Sequence, residues 1–435
     1  VNVARRPRAA CLLALVPLML AGAGGPGHAP SGSVADTLTT AYDVAGIRVL
    51  QRRTESSDIV AVRLYLLGGT RQITERTAGI EPLLLRAAAY RGGRALDRTG
   101  SVVALEPEAD WTVYGFTGLV QDLDAAWRAF VDRLVQPELS DAAVAGARRR
   151  LLTQARRRYT EPDQRLHVIA MRALFRDHPY ALDPEGTEAS LAALTAEDVR
   201  AYARDQLVTS RMLVAVVGAV TRAHVESLVT ATLGRLPRGD YRWTLPPAPR
   251  KHTSGWLIEN RDLPTAYILG LYPGPPPTAG QAYWAFRVAT AVLSGQIGYH
   301  IRTEHSLSYA AFAPFYDQAI PVGGAYVSTP KPDEALALIH QAIREIATRR
   351  FSGYSLGRFI DGYRFDYLVN NATAEAQADF LARAELYLGS FRKGEESLQL
   401  LHRVLPEDLA PIVYAHMGNI QYAYLGDTAR MHGQW

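Results

Sequence analysis

Cysteine is all but missing from this 435-residue chain, which has one, Cys11. Cys11 lies in an amino-terminal stretch that reads as a removable leader, so the mature chain has none. That excludes both a disulfide framework and thiolate catalysis. Long apolar runs are lacking too: past the leader, none reaches the roughly 18 residues that a membrane span requires. Nor is there a strong charge of one sign. Lys and Arg number 47 against 43 Asp and Glu, a net charge of +4. The basic residues are scattered apart from one helical cluster, so the electrostatic footprint of a nucleic-acid binder is absent. What remains, 48% hydrophobic and 21% charged, is a globular composition in a chain long enough for two or more domains.

The leader is expected over residues 1–29. Arg5, Arg6 and Arg8 form a positive start, Ala9 to Leu20 an apolar middle, and Ala21-Gly22-Ala23 or Gly27-His28-Ala29 a small-residue cleavage site. Cys11 precedes most of the apolar run, the wrong place for lipid attachment. The protein is therefore expected to be exported, to a bacterial periplasm or the medium.

The mature chain begins with strand patterns at Ile47–Leu50 and Ile59–Leu67, the second ending at Gly68-Gly69. An Ala- and Leu-rich helix at Ala78–Tyr90 closes at Gly92-Gly93. Strand patterns at Val102–Leu105 and Trp111–Phe116 follow, then a helix at Leu123–Leu134. Ser140–Arg158 reads as a long helix carrying Arg148, Arg149, Arg150, Arg156, Arg157 and Arg158, which is read as a solvated face. Helices at Arg165–Phe175, Ala196–Gln206 and Arg222–Leu233 flank a buried strand, Met212–Val217, that ends at Gly218. Leu236–Ser254, with Pro237, Pro246, Pro247 and Pro249, is the best linker in the chain.

After the linker the order repeats. Tyr267–Tyr272 matches Val62–Leu67, and Asn419–Leu425 with Gly426-Asp427 matches Met212–Val217 with Gly218, both offset by about 205–210 residues. Helices are expected between them at Gln281–Leu293, Pro332–Thr348, Leu356–Val369, Glu375–Leu388 and Pro406–His416. The fold class is therefore α+β, two homologous α+β domains of about 200 residues each. The first is placed at 30–236, the linker at 237–254 and the second at 255–435. A duplicated unit implies a cleft between copies in which a peptide could lie.

Leu293–Ala310, LSGQIGYHIRTEHSLSYA, carries the chemistry. A helical run is expected to break at Ser294-Gly295 and resume over Ile297–Arg302, before Leu-Ser-Tyr-Ala-Ala-Phe turns strand-like. This segment admits two readings. Arg302 and Tyr309 together can hydrogen-bond a peptide carbonyl or a developing oxyanion. Alternatively, Arg302 pairs with Glu304 and Tyr309 is a core tyrosine. His300 and His305 are five apart, roughly 140° around a helix of about 3.6 residues per turn, so they do not form a two-histidine metal site and are read as surface residues.

The order of these strands and helices resembles the insulinase-like (pitrilysin, or mitochondrial processing peptidase) family of zinc metallopeptidases, over about Tyr42–Asp427. The specific pieces are Leu67-Gly68-Gly69-Thr70-Arg71 leading to Gly79-Ile80, then His178-Pro179-Tyr180, Val216-Val217-Gly218, and Ile301–Tyr309. The family's inverted motif, His-x-x-Glu-His, follows that Gly-Ile pair; its histidines share a zinc ion, and its glutamate deprotonates the metal-bound water. Here the motif positions hold Pro82, Leu85 and Arg86, and the region of the third ligand reads Leu152-Thr153-Gln154-Ala155. The resemblance thus implies a chain with no metal or cofactor of its own and no peptide hydrolysis alone.

The family's second element is an arginine and tyrosine pair that orients substrate and stabilises its tetrahedral intermediate. Arg302 and Tyr309 match it in type and spacing, with Ser306 where glycine is usual. A chain with the substrate half and not the metal half resembles the non-catalytic subunit of a bacterial heterodimeric member. Its expected partner is a homologous subunit with an intact His-x-x-Glu-His and its zinc, and its expected substrate an unfolded peptide. The alternative is a structural or peptide-binding relative with no part in hydrolysis.

Other features are read as structural. Trp111, Trp127, Trp243, Trp256 and Trp284 are assigned to core or seam, His167 to a helix surface, and His178 to a loop with a local hydrogen bond. Gly323-Gly324 is expected to turn a hairpin between Phe312–Tyr316 and Ala325–Ser328.

Overall fold

The structure, a computed structural model, describes residues 38–89, 99–348 and 353–433. The expected leader with Cys11, and Gly92-Gly93, lie outside the described residues. Strands β1 (Thr39–Val44), β2 (Ile47–Arg53), β3 (Ile59–Leu67), β4 (Val102–Pro107), β5 (Trp111–Leu119) and β6 (Met212–Gly218) form one sheet in the order β1-β2-β6-β3-β5-β4. Every residue of β6 is buried, and all but the first of β3. Such continuous apolar runs belong at the centre of a sheet covered on both faces, and there they lie. The pairing of β2 with β6 is parallel, whereas β3 runs antiparallel to β6 and β5.

The second sheet repeats this pattern with β7 (Gly255–Asn260), β8 (Ala266–Pro273), β9 (Ala311–Phe312), β10 (Phe315–Tyr316), β11 (Val322–Thr329) and β12 (Gln421–Gly426). Its order is β10-β11-β8-β12-β7, with β9 also on β11. Parallel β7–β12 corresponds to β2–β6, and antiparallel β12–β8–β11 to β6–β3–β5. The duplication reaches the backbone: Gly218 and Gly426 end β6 and β12 with φ of 156° and 157°. A Cβ at either would come within 3.0 Å of the neighbouring strand, at Val60 and Ala266. Only glycine suits both the angle and the space. The fold is thus two α+β units.

Thirteen α-helices occur among the described residues: α1 (Ile80–Ala88), α2 (Leu123–Val135), α3 (Asp141–Thr160), α4 (Pro162–Leu174), α5 (Glu188–Ala193), α6 (Ala196–Gln206) and α7 (Arg222–Ala231) precede β7, and α8 (Gln281–Ile297), α9 (Pro332–Thr348), α10 (Gly353–Asn370), α11 (Ala374–Leu388), α12 (Arg392–Leu400) and α13 (Pro406–His416) follow it. Each sheet needs cover on two faces, and the halves exchange it. The first sheet packs one face on α1 and α2, but its other face, through Leu50, Tyr65, Val113 and Ala215, meets Leu381, Ala382 and Leu386 of α11. Reciprocally, Leu269, Leu271, Val322 and Ala423 of the second sheet meet Leu166, Ile169 and Leu174 of α4.

Polar contacts fix both exchanges. Tyr65 Oη donates to Asp379 at 2.5 Å, and Arg48 meets Glu385 at 2.8 Å. In return, Tyr326 Oη donates to Asp163 at 2.5 Å and Arg165 Nε to Glu259 at 2.8 Å. Residues 237–254 contain no helix or strand and lie along this seam, with Trp243 Nε1 donating to Leu386 O at 2.9 Å and Arg71 to Thr244 O at 2.8 Å.

Four local expectations are corrected. Helix α8 does not break at Ser294-Gly295 but runs to Ile297, because Ser294 Oγ accepts from Ala313 N at 3.1 Å without leaving the helix. The strand expected from Leu307 is only Ala311–Phe312. Gly323 and Gly324 lie inside β11, not in a hairpin turn. A Cβ at Gly323 would sit 2.4 Å from the Tyr272 ring, and one at Gly324 would sit 2.8 Å from Gly270 O, so these glycines make room for neighbours. His167 is half-buried against Tyr316 of the other half, not on an open helix surface. His178 is a loop residue as expected, its Nδ1 accepting from Tyr180 N at 3.2 Å. Trp111, Trp127 and Trp284 are buried.

Candidate functional site

Helix α8 does not end in a cap but widens into a π-helical turn, Gly298–Glu304. Such turns place one residue too many in the helical circuit, and persist where packing holds them. Here Ile297 and Ile301, both fully buried, hold the inner side. The amide of His305 donates back to His300 O at 3.1 Å, and that of Leu307 to Ile301 O at 2.8 Å. Between them Ser306 adopts φ of 52°, the left-handed region that glycine enters without cost. Ser306 thus holds a backbone conformation that suits glycine.

The following loop is tied down as well. Thr329 Oγ1 donates to Leu307 O at 3.1 Å, Ala310 N to Ser308 Oγ at 3.0 Å, and Ser328 N to Ala310 O at 3.1 Å. Tyr309 is nonetheless 94% exposed. Arg302, on the outer side of the π-turn, is exposed too. Among the described residues neither side chain forms a hydrogen bond or ion pair. Glu304 is engaged by His300 at 2.8 Å, so the pairing of Arg302 with Glu304 and the core tyrosine are both corrected. A guanidinium and a phenol on a fixed backbone, both exposed and without a partner among the described residues, can donate hydrogen bonds to a carbonyl or an oxyanion.

His300 is also corrected: it is buried, at 7% exposure, with Nδ1 2.8 Å from Glu304 and Nε2 3.0 Å from Glu345 of α9. Nothing in the local pattern points to Glu345, which arrives from 45 residues away.

The positions that the resemblance assigns to the zinc motif lie on α1. Leu85 is fully buried in the first core, Pro82 is buried, and Arg86 is half-buried. None offers a zinc donor, and Arg86 adds a cation where a metal would sit. On α3, the segment Leu152–Ala155 offers only the neutral side chains of Thr153 and Gln154. These residues do not fit a zinc ion.

The adjacent Glu81 is committed elsewhere. Buried, it accepts from Arg211 at 3.1 Å and from Tyr202 Oη at 3.0 Å. Burial and the Glu81 charge push the Tyr202 phenol well above its ordinary pKa and keep it a donor. Sequence reading missed this network; an isolated Glu in an apolar helix start was its only signal. The Gly68-Gly69 pair turns the chain beside Ala109, whose carbonyl a Cβ on Gly69 would meet at 2.3 Å. His178-Pro179-Tyr180 serves the seam: His178 Nε2 lies 3.1 Å from Pro247 O, and Tyr180 Oη donates to Asp110.

Comparison with known proteins bears on the fold. Residues 193–360 match the Peptidase M16 inactive domain. An uncharacterized zinc protease of Mycobacterium leprae is 24% identical over 85% of this chain and 87% of its own. The beta subunit of the mitochondrial-processing peptidase of Blastocladiella emersonii is 23% identical over 67% of each. A protease from Helicobacter pylori shares the fold, with a TM-score of 0.80 at 15% identity over 89% of this chain and 99% of that one. Residues 193–360 thus belong to the Peptidase M16 inactive domain family, and along most of its length the chain is similar to proteins named zinc protease and mitochondrial-processing peptidase.

Proposed function

We propose that this chain is the non-catalytic, substrate-binding subunit of a heterodimeric zinc peptidase that cleaves unfolded peptides. In this reading Arg302 and Tyr309 orient the peptide and stabilise the tetrahedral intermediate at the zinc of a homologous partner with an intact His-x-x-Glu-His. The leader at 1–29 would place the complex in the periplasm or the medium. One observation carries the reading: two exposed, unpaired hydrogen-bond donors stand on a backbone pinned at both ends, in a chain whose own metal positions are apolar or cationic.

The test is peptide cleavage by the chain alone, by its zinc-bearing partner alone and by the two together. Activity is expected only for the pair. Arg302→Ala with Tyr309→Phe should lower kcat/KM by about 10²–10³, the size of a lost oxyanion donor. Full activity in the double variant would favour the peptide-binding relative without a role in hydrolysis.

A further inference from the structure

The π-turn that presents Arg302 is closed from within by His300. Its ring is 7% exposed, with Nδ1 2.8 Å from Glu304 Oε2 and Nε2 3.0 Å from Glu345 Oε2. Ionised carboxylates accept hydrogen bonds and donate none, so both contacts are satisfied together only when both ring nitrogens carry protons. That state is the imidazolium. Glu304 and His300 bracket Arg302 within the turn, and Glu345 ties the same ring to α9.

Among the described residues, few other charges face the ring. The turn itself brings Glu304 and α9 brings Glu345, whose other oxygen accepts from Gln341 at 2.9 Å. His305 follows, with Nδ1 2.9 Å from His300 O and 3.8 Å from Glu304. The last turn of α8, Ser294 to Ile297, has no charged residue, and β9 brings only Ala311 and Phe312. Tyr299 lies edge-on to the ring at 5.4 Å. Burial opposes the charge on His300, but the hydrogen bonds to Glu304 and Glu345 and their charges outweigh it, and the pKa is raised. Loss of a proton would set a nitrogen lone pair against a carboxylate and release one side of the clamp.

We propose that His300 is a positioning residue: bridging Glu304 and Glu345 in its charged form, it fixes the π-turn and so the direction in which Arg302 reaches the peptide, and it withdraws that support on deprotonation. This rests on the reading of the chain as the arginine- and tyrosine-bearing subunit. A chain with a neutral residue at 300 would keep Arg302 but lose its aim.

The experiment uses the complex with the zinc-bearing partner and a fluorogenic unstructured peptide. It records kcat/KM from about pH 6 to 9 for the wild type, His300→Gln and Arg302→Ala. On the full chain, imidazole NMR follows the His300 titration, and amide exchange follows residues 298–304 and the core of the second sheet. We expect the wild type to lose about tenfold or more in kcat/KM as His300 deprotonates, with KM little moved, on the scale of a misplaced catalytic group. His300→Gln should start that much lower and lack this limb, with exchange faster at 298–304 but unchanged in the core. A His300→Gln complex with full activity and an unchanged alkaline limb would overturn the proposal, as would a ring that titrates at or below its ordinary value of about 6.5. Full activity in Arg302→Ala would instead sink the parent reading, and with it the catalytic part of this one. The exchange data separate the two failures, since pH-dependent protection of 298–304 that vanishes in His300→Gln shows the clamp whatever the activity does.

Discussion

Tyr387 Oη donates a 2.8 Å hydrogen bond to Asp110, a residue 277 positions earlier in the chain. Asp110 is buried at 1% exposure in the turn before β5, and it also accepts from Tyr180 Oη and, at 2.9 Å, from Ala319 N. One carboxylate therefore ties the first sheet, the loop after α4, a loop of the second half and α11. Burial, and then the Asp110 charge, push both phenols well above their ordinary pKa, so both remain donors. Asp110→Asn keeps the shape but weakens three charge-assisted bonds. It is expected to cost about 2–3 kcal/mol in urea unfolding. Asp110→Ala, which leaves two buried hydroxyls and an amide unpaired, should cost more.

The exchange of α4 and α11 implies that neither half is a stable monomer. Residues 38–254 alone would expose the apolar face formed by Leu50, Tyr65, Trp111, Val113, Leu213 and Val217. Expressed separately, each half should aggregate or lack a cooperative thermal transition, and co-expression should restore one. Leu166→Ala and Leu381→Ala, both at fully buried positions, are each expected to cost about 2–5 kcal/mol in the intact chain. A single cooperative transition for an isolated half would contradict the exchange.

The duplication was legible because strands buried on both faces leave continuous apolar runs: the match of Asn419–Leu425 with Gly426-Asp427 to Met212–Val217 with Gly218 falls on β12 and β6. The assignment of Arg302 and Tyr309 as a pair rests on family resemblance and spacing, and the structure adds that both side chains are exposed. Helix exchange was not legible, since the periodicity of Arg165–Phe175 shows that it has an apolar face and not which sheet covers it. His300 was misread for the same reason. Its partner Glu345 lies on another helix, and a histidine between Tyr and Ile looks the same whether it faces water or two carboxylates. Gly323-Gly324 was misread because a glycine that makes room for Tyr272 leaves the same mark in a sequence as one that turns the chain.

Ser306 occupies a conformation suited to glycine, at φ of 52°. The left-handed region costs an L-residue about 1–2 kcal/mol, partly offset by the entropy that glycine loses on folding. Ser306→Gly should therefore stabilise the chain slightly, by about 1 kcal/mol or less. Ser306→Val, with its branched Cβ, should destabilise it by more than that. Urea midpoints measured side by side decide the order. Because glycine adopts the same backbone angle, the glycine variant should, under the proposed function, leave cleavage with the zinc-bearing partner unchanged.

Glu81 and Arg211 form a buried pair at 3.1 Å, with side chains 6% and 2% exposed. Arg211 also donates to Leu67 O at 2.8 Å and Gln206 O at 3.1 Å, so the pair anchors α1 to the end of β3. Removing one partner leaves an uncompensated charge in the core. Glu81→Leu is expected to cost about 3–5 kcal/mol, and the double change Glu81→Leu with Arg211→Met less than the sum of the singles. Chemical denaturation of the three variants measures the coupling, and simple additivity would show that the charges act independently.

His167 on α4 packs against Tyr316 of the second sheet, with its Nδ1 3.3 Å from the phenol oxygen and the ring centres 5.1 Å apart. Burial lowers its pKa to about 4. A histidine depressed in the folded state is neutral there while the unfolded chain takes up a proton near pH 6.5. Its contribution is therefore complete above about pH 6.5 and is lost progressively as the pH falls towards 4, where the folded chain also binds the proton. Urea unfolding at intervals from pH 7.5 to about 4 should show wild-type stability falling more steeply than that of His167→Phe, which keeps a ring against Tyr316 and has nothing to protonate. The two curves should converge towards neutral pH, apart from a constant offset due to packing. Parallel curves over the whole range would show that the imidazole is not held neutral at the seam, and that acid acts on the exchanged helices through carboxylates alone.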